Sequence, residues 1–309
     1  MRVLVSNLMM LAERKRFHDE LCKRGYEPVW VEPEQYLKEQ EAVALVGDID
    51  GWLDGDDQIT ESVLKAALPR LKVISKWGTG VDSIDLSAAE RLGVPVYRSP
   101  GAFAGAVGEI TLGYMLCLCR QIVSIDQEVR HGGWPKWQGA ELSGQTIGVI
   151  GFGAIGQKIG QLAEAFGMFV VFFDPFNQDK KEDPRRVSTV EELATVADFV
   201  CLACSLSKDN VYMVDHRFLK LMKSTAYLIN VARGPLVHEK ALLEALEREE
   251  IAGCALDVFE TEPLPDESVL KRQANVILGS HNANNSRAAV EAVHGTTLAN
   301  LDRVLGKNN

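Results

Sequence analysis

The feature that most restricts this chain is a strand–glycine–helix–strand unit near its middle. The apolar run Thr146-Ile-Gly-Val-Ile150 leads into Gly151-Phe-Gly153-Ala-Ile-Gly156, and a helix-like stretch follows to Phe166, stopped by Gly167. A second apolar run, Phe169-Val-Val-Phe-Phe173, ends in Asp174, 18 residues beyond Gly156. A GxGxxG string alone is weak. Set between a strand and a helix, with an acid closing the next strand, each part has a mechanical job. Gly151 makes the tight turn, Gly153 lets a pyrophosphate approach the backbone, and Gly156 lets helix and strand pack closely. The amides of Ala154 and Ile155 open the helix N-terminus, where the dipole favours phosphate. Asp174 is then placed to accept hydrogen bonds from adenosine ribose hydroxyls. Its charge repels a 2′-phosphate, so the unit is expected to take NAD rather than NADP.

Strand-like and helix-like runs alternate along the whole chain, which implies an α/β protein with parallel sheets. In the first half, strands are expected at Arg2–Ser6, Pro28–Val31, Ala42–Val46, Leu71–Ser75 and Val94–Tyr97. Helices are expected at Met9–Arg24, Ser62–Leu68 and Asp85–Leu92. Five short strands with helices between them make a flavodoxin-like domain. One long apolar helix, Glu109–Val129, precedes the Gly/Trp-rich stretch His131-Gly-Gly-Trp-Pro-Lys-Trp137. After the fingerprint, strands are expected at Phe199–Leu202, Ala226–Asn230, Gly253–Leu256 and Val276–Leu278, with helices at Val190–Val196 and Lys240–Arg248. The last helix, Ser286–Leu305, has no domain of its own to complete and should return to the first. The expected layout is two Rossmann/flavodoxin-like domains: residues 101–283 bind the dinucleotide and are inserted into a split domain of 1–100 plus 284–309.

Composition excludes several classes. The 309 residues are 46% hydrophobic and 25% charged, an ordinary folded balance that rules out disorder and collagen-like repeats. With 33 basic against 43 acidic residues the net charge is −10, and no cationic block offers a face for nucleic acid. Cys201-Leu-Ala-Cys204 has CxxC spacing without a second pair, so its thiols read as core material and no metal is expected. The N-terminal apolar run is short and lacks a cleavage site, and Ile110–Cys119 is too short to span a bilayer. A cytoplasmic protein without membrane partners is expected.

Several ordered motifs then give the chain a family likeness. They are Lys76-Trp-Gly-Thr-Gly-Val-Asp-Ser-Ile-Asp85, the Gly151 fingerprint with Asp174, Ile229-Asn-Val-Ala-Arg-Gly234, Ala255-Leu-Asp-Val-Phe-Glu-Thr-Glu-Pro263 and the His281 segment. Over about Leu71 to Ser286 the chain resembles the D-isomer-specific 2-hydroxyacid dehydrogenases, the phosphoglycerate dehydrogenase branch in particular. The resemblance implies a split substrate domain, an inserted cofactor domain and an active site in the cleft between them. It implies that Arg233 orients the substrate, that His281 is the acid–base group, and that Glu262 pairs with that histidine. Asp257 would contact the nicotinamide end of NAD, with Val231 and Ala232 beside the cofactor. Lys76 and the loop Gly78-Thr79-Gly80 would face the substrate carboxylate.

The residue types suit these roles. A planar guanidinium matches a carboxylate bidentately. A carboxylate beside an imidazole favours the charged ring, which can then donate a proton. Glu260 is a decoy for Glu262, and His18, His131, His216, His238 and His294 read as structural or merely exposed. Some positions depart from the family pattern. Gly279-Ser280 stand where Thr-Pro is common, Ala203-Cys204 where a histidine and a proline are common, and Ala154 where an arginine often sits. Phe103-Ala104 replace an Asn-Ser pair, and an apolar ring there disfavours a phosphorylated substrate. The expected activity is NAD-dependent interconversion of a small 2-hydroxy acid and its 2-keto acid, of the glyoxylate or hydroxypyruvate reductase kind, in a homodimer. The alternatives are a D-3-phosphoglycerate dehydrogenase lacking a regulatory domain and a non-catalytic NAD-sensing scaffold. Ile110–Cys119, Trp134 and Trp137 are candidate interface material.

Overall fold

Short polar side chains set where many of the helices begin. Thr60, Asp85, Thr189 and Ser286 each stand one residue ahead of a helix and accept a bond from an amide in its first turn. The computed structural model describes residues 1–177 and 182–306. The chain forms two units, one of Met1–Phe103 with the stretch from Ser286 onward, the other of Ala104–Asn285.

The first unit runs β1 (Arg2–Val5), α1 (Leu8–Ala12), α2 (Arg14–Lys23), β2 (Glu27–Trp30), α3 (Glu39–Leu45), β3 (Gly51–Asp54), α4 (Glu61–Ala67), β4 (Val73–Lys76), α5 (Leu86–Arg91) and β5 (Val96–Tyr97). Its sheet is wholly parallel in the order β2-β1-β3-β4-β5, the flavodoxin-like winding. The C-terminal helix, Arg287–Leu305, packs on β3 and β4, as its lack of a domain of its own implied. Ser75 Oγ donates to the Thr297 carbonyl at 2.8 Å. A Cβ on Gly51 would stand 2.7 Å from the Leu301 side chain, so the helix lies directly on the strand.

Two expectations fail here. Ala42–Val46 is helix rather than strand. The Glu41 carboxylate accepts from the Lys38 amide at 2.8 Å and starts α3, and helical spacing buries Ala42 and Val46 while Val43 and Leu45 are exposed. The strand is instead Gly51–Asp54, buried along its whole length. The span Met9–Arg24 is two helices, because Glu13 leaves helical geometry at φ −111°, ψ 32°. The break lets Met10, Phe17 and Leu21 all reach the core.

The second unit holds α6 (Ala104–Arg120), α7 (Ile122–Arg130), β6 (Thr146–Ile150), α8 (Ala154–Ala165), β7 (Phe169–Phe173), α9 (Val190–Val196), β8 (Phe199–Leu202), α10 (His216–Leu221), β9 (Tyr227–Asn230), α11 (Glu239–Glu247), β10 (Gly253–Leu256) and β11 (Val276–Leu278). Its parallel sheet has the order β11-β10-β9-β8-β6-β7, and Arg186 adds a parallel bridge outside β7. With that bridge the winding is the 3-2-1-4-5-6 order of dinucleotide-binding sheets, extended by β11 as a seventh position. The expected helix Glu109–Val129 is bent by 62° between α6 and α7, where Gln121 is left-handed at φ 52°. The Cys119 carbonyl accepts instead from Ala140 N at 3.0 Å. Helix α10 was not foreseen; Asp215 caps it through the amides of Arg217 and Phe218.

All six cysteines are free thiols. Burial pushes the Cys201 thiol up to about 12 and that of Cys204 to about 11. Among the described residues no single helix is long and apolar enough to cross a membrane.

Candidate active site

The fingerprint turn is built as its glycines require. Gly151 adopts φ +93°, and a Cβ there would stand 2.6 Å from the Cys204 backbone in the loop after β8. A Cβ on Gly156 would run into the Gly151 carbonyl oxygen. Gly153 caps α8 and has nothing within 4 Å of its Cβ position, so a ligand can approach the backbone. A glycine cap supplies no side-chain oxygen, which leaves the first amides of α8, those of Ala154 and Ile155 included, for an anion. Asp174 accepts from Phe152 N at 2.7 Å, Phe176 N at 2.9 Å and Asn177 N at 3.0 Å. These bonds use three of a carboxylate's roughly four acceptor positions and brace the turn from behind. The cradle fits a dinucleotide.

At the carboxyl end of β9 the Asn230 side chain shapes the next turn. Its Oδ1 accepts from Ala232 N at 3.0 Å and its Nδ2 donates to the Arg233 carbonyl at 2.8 Å. Val231 and Ala232 are buried and Arg233 is half-buried. A Cβ on Gly234 would overlap the Phe259 carbonyl, so only glycine lets the Arg233 turn lie against the loop after β10. That loop carries Glu262. Its Oε1 accepts from Phe259 N at 3.0 Å, and its Oε2 lies 2.7 Å from His281 Nδ1. Glu260 faces elsewhere, accepting from Glu239 N at 2.7 Å while its own amide donates to Glu239 Oε1.

His281, beyond β11, is left-handed at φ 55°, a backbone state that costs a non-glycine residue of order 1 kcal/mol or more. Asp257 holds it there. The Asp257 carbonyl accepts from His281 N at 2.7 Å, and its carboxylate accepts from Asn282 N at 3.2 Å and Ala283 N at 2.9 Å. A third donor was missed in the sequence: the Tyr114 hydroxyl of α6, 2.9 Å from Asp257 Oδ1. Its signal was a phenol standing alone in the apolar stretch Thr111-Leu-Gly-Tyr-Met-Leu. Arg233, Glu262, His281 and Asp257 thus stand in one unit on the adjacent carboxyl ends of β9, β10 and β11, where ligands bind such sheets.

The remaining candidates lie in the first unit. Gly78 has φ +127°, and Ser99 N and Thr79 Oγ1 tie this loop to the segment after β5 at 2.8 and 3.1 Å. Lys76 is only 2% exposed, and its ammonium lies 2.7 Å from Asp56 and 3.8 Å from Asp54. Burial raises the Asp54 carboxyl well above the usual carboxylate range, against the pull of Lys76. Phe103 is buried, with its ring 5.5 Å from that of Trp77. Among the described residues, Glu13, Glu291 and His294 bring three metal-ligating side chains together. Arg16 already bonds both carboxylates, and Trp77 Nε1 donates to His294 Nδ1 at 3.0 Å, which leaves the proton of a neutral ring on Nε2. That arrangement does not suit a cation.

A glycine-cradled helix N-terminus and an imidazole–carboxylate pair on one parallel sheet define a nicotinamide-dependent dehydrogenase. Residues 112–283 match the model for "D-isomer specific 2-hydroxyacid dehydrogenase, NAD binding domain". The chain is 36% identical to a glyoxylate reductase of Pyrococcus furiosus over 285 residues, covering 88% of this chain and 84% of that one. It is 35% identical to a D-3-phosphoglycerate dehydrogenase of Methanocaldococcus jannaschii over 294 residues, 93% of this chain but 56% of that protein. Its structure superposes on D-lactate dehydrogenase of Aquifex aeolicus, complexed with NAD and lactic acid, with a TM-score of 0.85 at 26% identity, covering 99% and 96% of the two chains. The chain belongs to the D-isomer specific 2-hydroxyacid dehydrogenase family. It is an NAD-dependent oxidoreductase acting on the CH–OH group of a 2-hydroxy acid, and the expected fold class, cofactor and reaction hold.

Proposed function

We propose that the chain reduces a small unphosphorylated 2-keto acid, glyoxylate or hydroxypyruvate, with His281 as general acid. The observation that carries this reading is the 2.7 Å contact of His281 Nδ1 with Glu262 Oε2. A carboxylate at Nδ1 favours the charged form of an imidazole and fixes its orientation, so that Nε2 can protonate the carbonyl oxygen. NADH, when bound, supplies the hydride to the carbonyl carbon. Arg233 holds the substrate's carboxylate and keto oxygen. The backbone of Gly78-Thr79-Gly80 is assigned to the same carboxylate, which gives residues 1–100 and 284–309 the substrate role and 101–283 the cofactor role. Gly151, Gly153, Ala154, Ile155, Gly156 and Asp174 hold the adenosine half of NAD, with Val231, Ala232 and Asp257 along the nicotinamide half. The glyoxylate reductase relative supports the substrate class. So do the buried apolar Phe103 and the Lys76 ammonium, whose charge is already met by Asp56.

The protein is further read as a cytoplasmic homodimer. Its free thiols fit a reducing compartment. The expected interface shifts, because Leu112, Met115, Leu118 and Cys119 of α6 are buried within their own chain. The exposed Ile122, Val123, Val129, Trp134 and Trp137 are left as the surface for a second copy.

The test is an activity panel of glyoxylate, hydroxypyruvate and pyruvate reduction and D-3-phosphoglycerate oxidation, each with NAD(H) and NADP(H). Glyoxylate or hydroxypyruvate should give the highest kcat/KM. If phosphoglycerate wins and Lys76→Ala selectively erases its advantage, the substrate class is wrong. No turnover with any acid would favour an NAD-sensing scaffold. His281→Ala should lower kcat by roughly 10²–10⁴ with NADH binding nearly unchanged, the usual worth of a general acid. Arg233→Ala should raise the keto-acid KM as well.

A further inference from the structure

We propose that Tyr114 is a positioning residue for the acid–base histidine, acting through Asp257. The inference rests on the assignment of His281 as general acid. Asp257 is 2% exposed, and a carboxylate so buried needs donors. Two of them are the amides of Asn282 and Ala283, and its carbonyl takes the amide of His281. The turn that holds His281 in its left-handed state therefore hangs from one residue, by its carbonyl at His281 and by its side chain at Asn282 and Ala283. What holds that side chain from the other direction is the Tyr114 hydroxyl, 2.9 Å from Oδ1.

Gly279 makes the contact possible. A Cβ there would collide with both Asp257 Oδ1 and the Tyr114 oxygen, so the phenol and the carboxylate meet in the space of a missing side chain. Helix α6 packs on β9, β10 and β11, which gives the tyrosine a rigid base. Without its hydroxyl, Asp257 Oδ1 keeps, among the described residues, the 3.2 Å bond from Asn282, the longest of the set. The turn then loosens, and the imidazole spends less time aligned with Glu262 and the reacting oxygen. Proton transfer suffers, whereas binding of keto acid and NADH does not.

The experiment is steady-state kinetics of Tyr114→Phe with the best keto acid of the panel, with NADH affinity measured by fluorescence. A hydrogen bond to a buried charge translates into a fall in kcat of about tenfold or more, with the keto-acid KM and the NADH Kd within about twofold of wild type. A kcat within about twofold of wild type overturns the proposal, as does a loss of NADH affinity that matches the loss of kcat. Gly279→Ala disturbs the same contact, so the double variant should be no slower than Gly279→Ala alone. Additive losses count against the proposal. Should neither variant fold, amide hydrogen exchange in the wild type decides: Asn282 and Ala283 should be protected like strand amides, and fast exchange there refutes the link. His281→Ala is run in parallel. If it is inactive while Tyr114→Phe is normal, only the role of Tyr114 falls; if it keeps its kcat, the general-acid assignment itself falls.

Discussion

Glu260 and Glu262 stand two positions apart in one loop, yet only one of them reaches the histidine. The amide of Glu239 claims Glu260, and the turn that bonds Phe259 N to Glu262 swings the second carboxylate toward His281. Asp174 braces the glycine turn by accepting three amides, and in the proposed cofactor site its charge faces the ribose. Asp174→Ala should raise NADP(H) use relative to NAD(H) by at least about tenfold, equivalent to about 1.4 kcal/mol. An unchanged ratio of kcat/KM values would remove Asp174 from the ribose site. His294 gives a prediction about pH. Burial lowers its pKa, opposed by Glu13, Glu291 and Glu20 and assisted by Arg16. Between that lowered folded value and the unfolded value of about 6.5, the unfolded chain binds more protons. Stability from this site is complete above about pH 6.5 and is lost as pH falls. Tm should therefore drop from pH 7.5 to 5.5, and His294→Gln should show a shallower drop; equal slopes would contradict the assignment. At this scale the sequence was informative where chemistry needs an ordered motif. It was silent on Tyr114, because one phenol in an apolar helix has no periodicity to betray it.

Elements were legible where composition and period agreed, as in β6, β7, α8 and the C-terminal helix. They were misread where a short run fits two periods. Ala42–Val46 is a continuous apolar run that fits a buried strand as well as a helix, but the cap from Glu41 and the spacing of Ala42 and Val46 favour a helix. Gly51–Asp54 was overlooked because four residues buried on both faces carry no alternation. The bend at Gln121 goes with a Cys119 carbonyl taken by Ala140, 21 residues further along the chain, which no local pattern records. The tightest helix–strand junction offers a test. Gly156→Ala puts a methyl into the Gly151 carbonyl and must push α8 away from the turn. NADH affinity should fall by about tenfold or more, with Tm lowered by a few degrees. An alanine variant with wild-type affinity would show that α8 tolerates the shift.

At the scale of the molecule, Leu112, Met115, Leu118 and Cys119 make α6 largely core, whereas α7 and the following stretch expose Ile122, Val123, Val129, Trp134 and Trp137. Trp134 is 79% exposed and Trp137 45%, unusual for indoles on a lone chain. If a second copy covers them, sedimentation should give a dimer at micromolar concentration. Replacing Trp134 and Trp137 with serine should then shift it toward monomer, and a wild-type monomer would retire the assignment. The dependence of the first sheet on the Arg287–Leu305 helix bears on biosynthesis. That sheet leaves the ribosome first, but the helix that covers β3 and β4 is made after the second unit. During translation the later-made unit can mature while the earlier one waits with an apolar strand uncovered, a window in which chaperones and proteases compete for it.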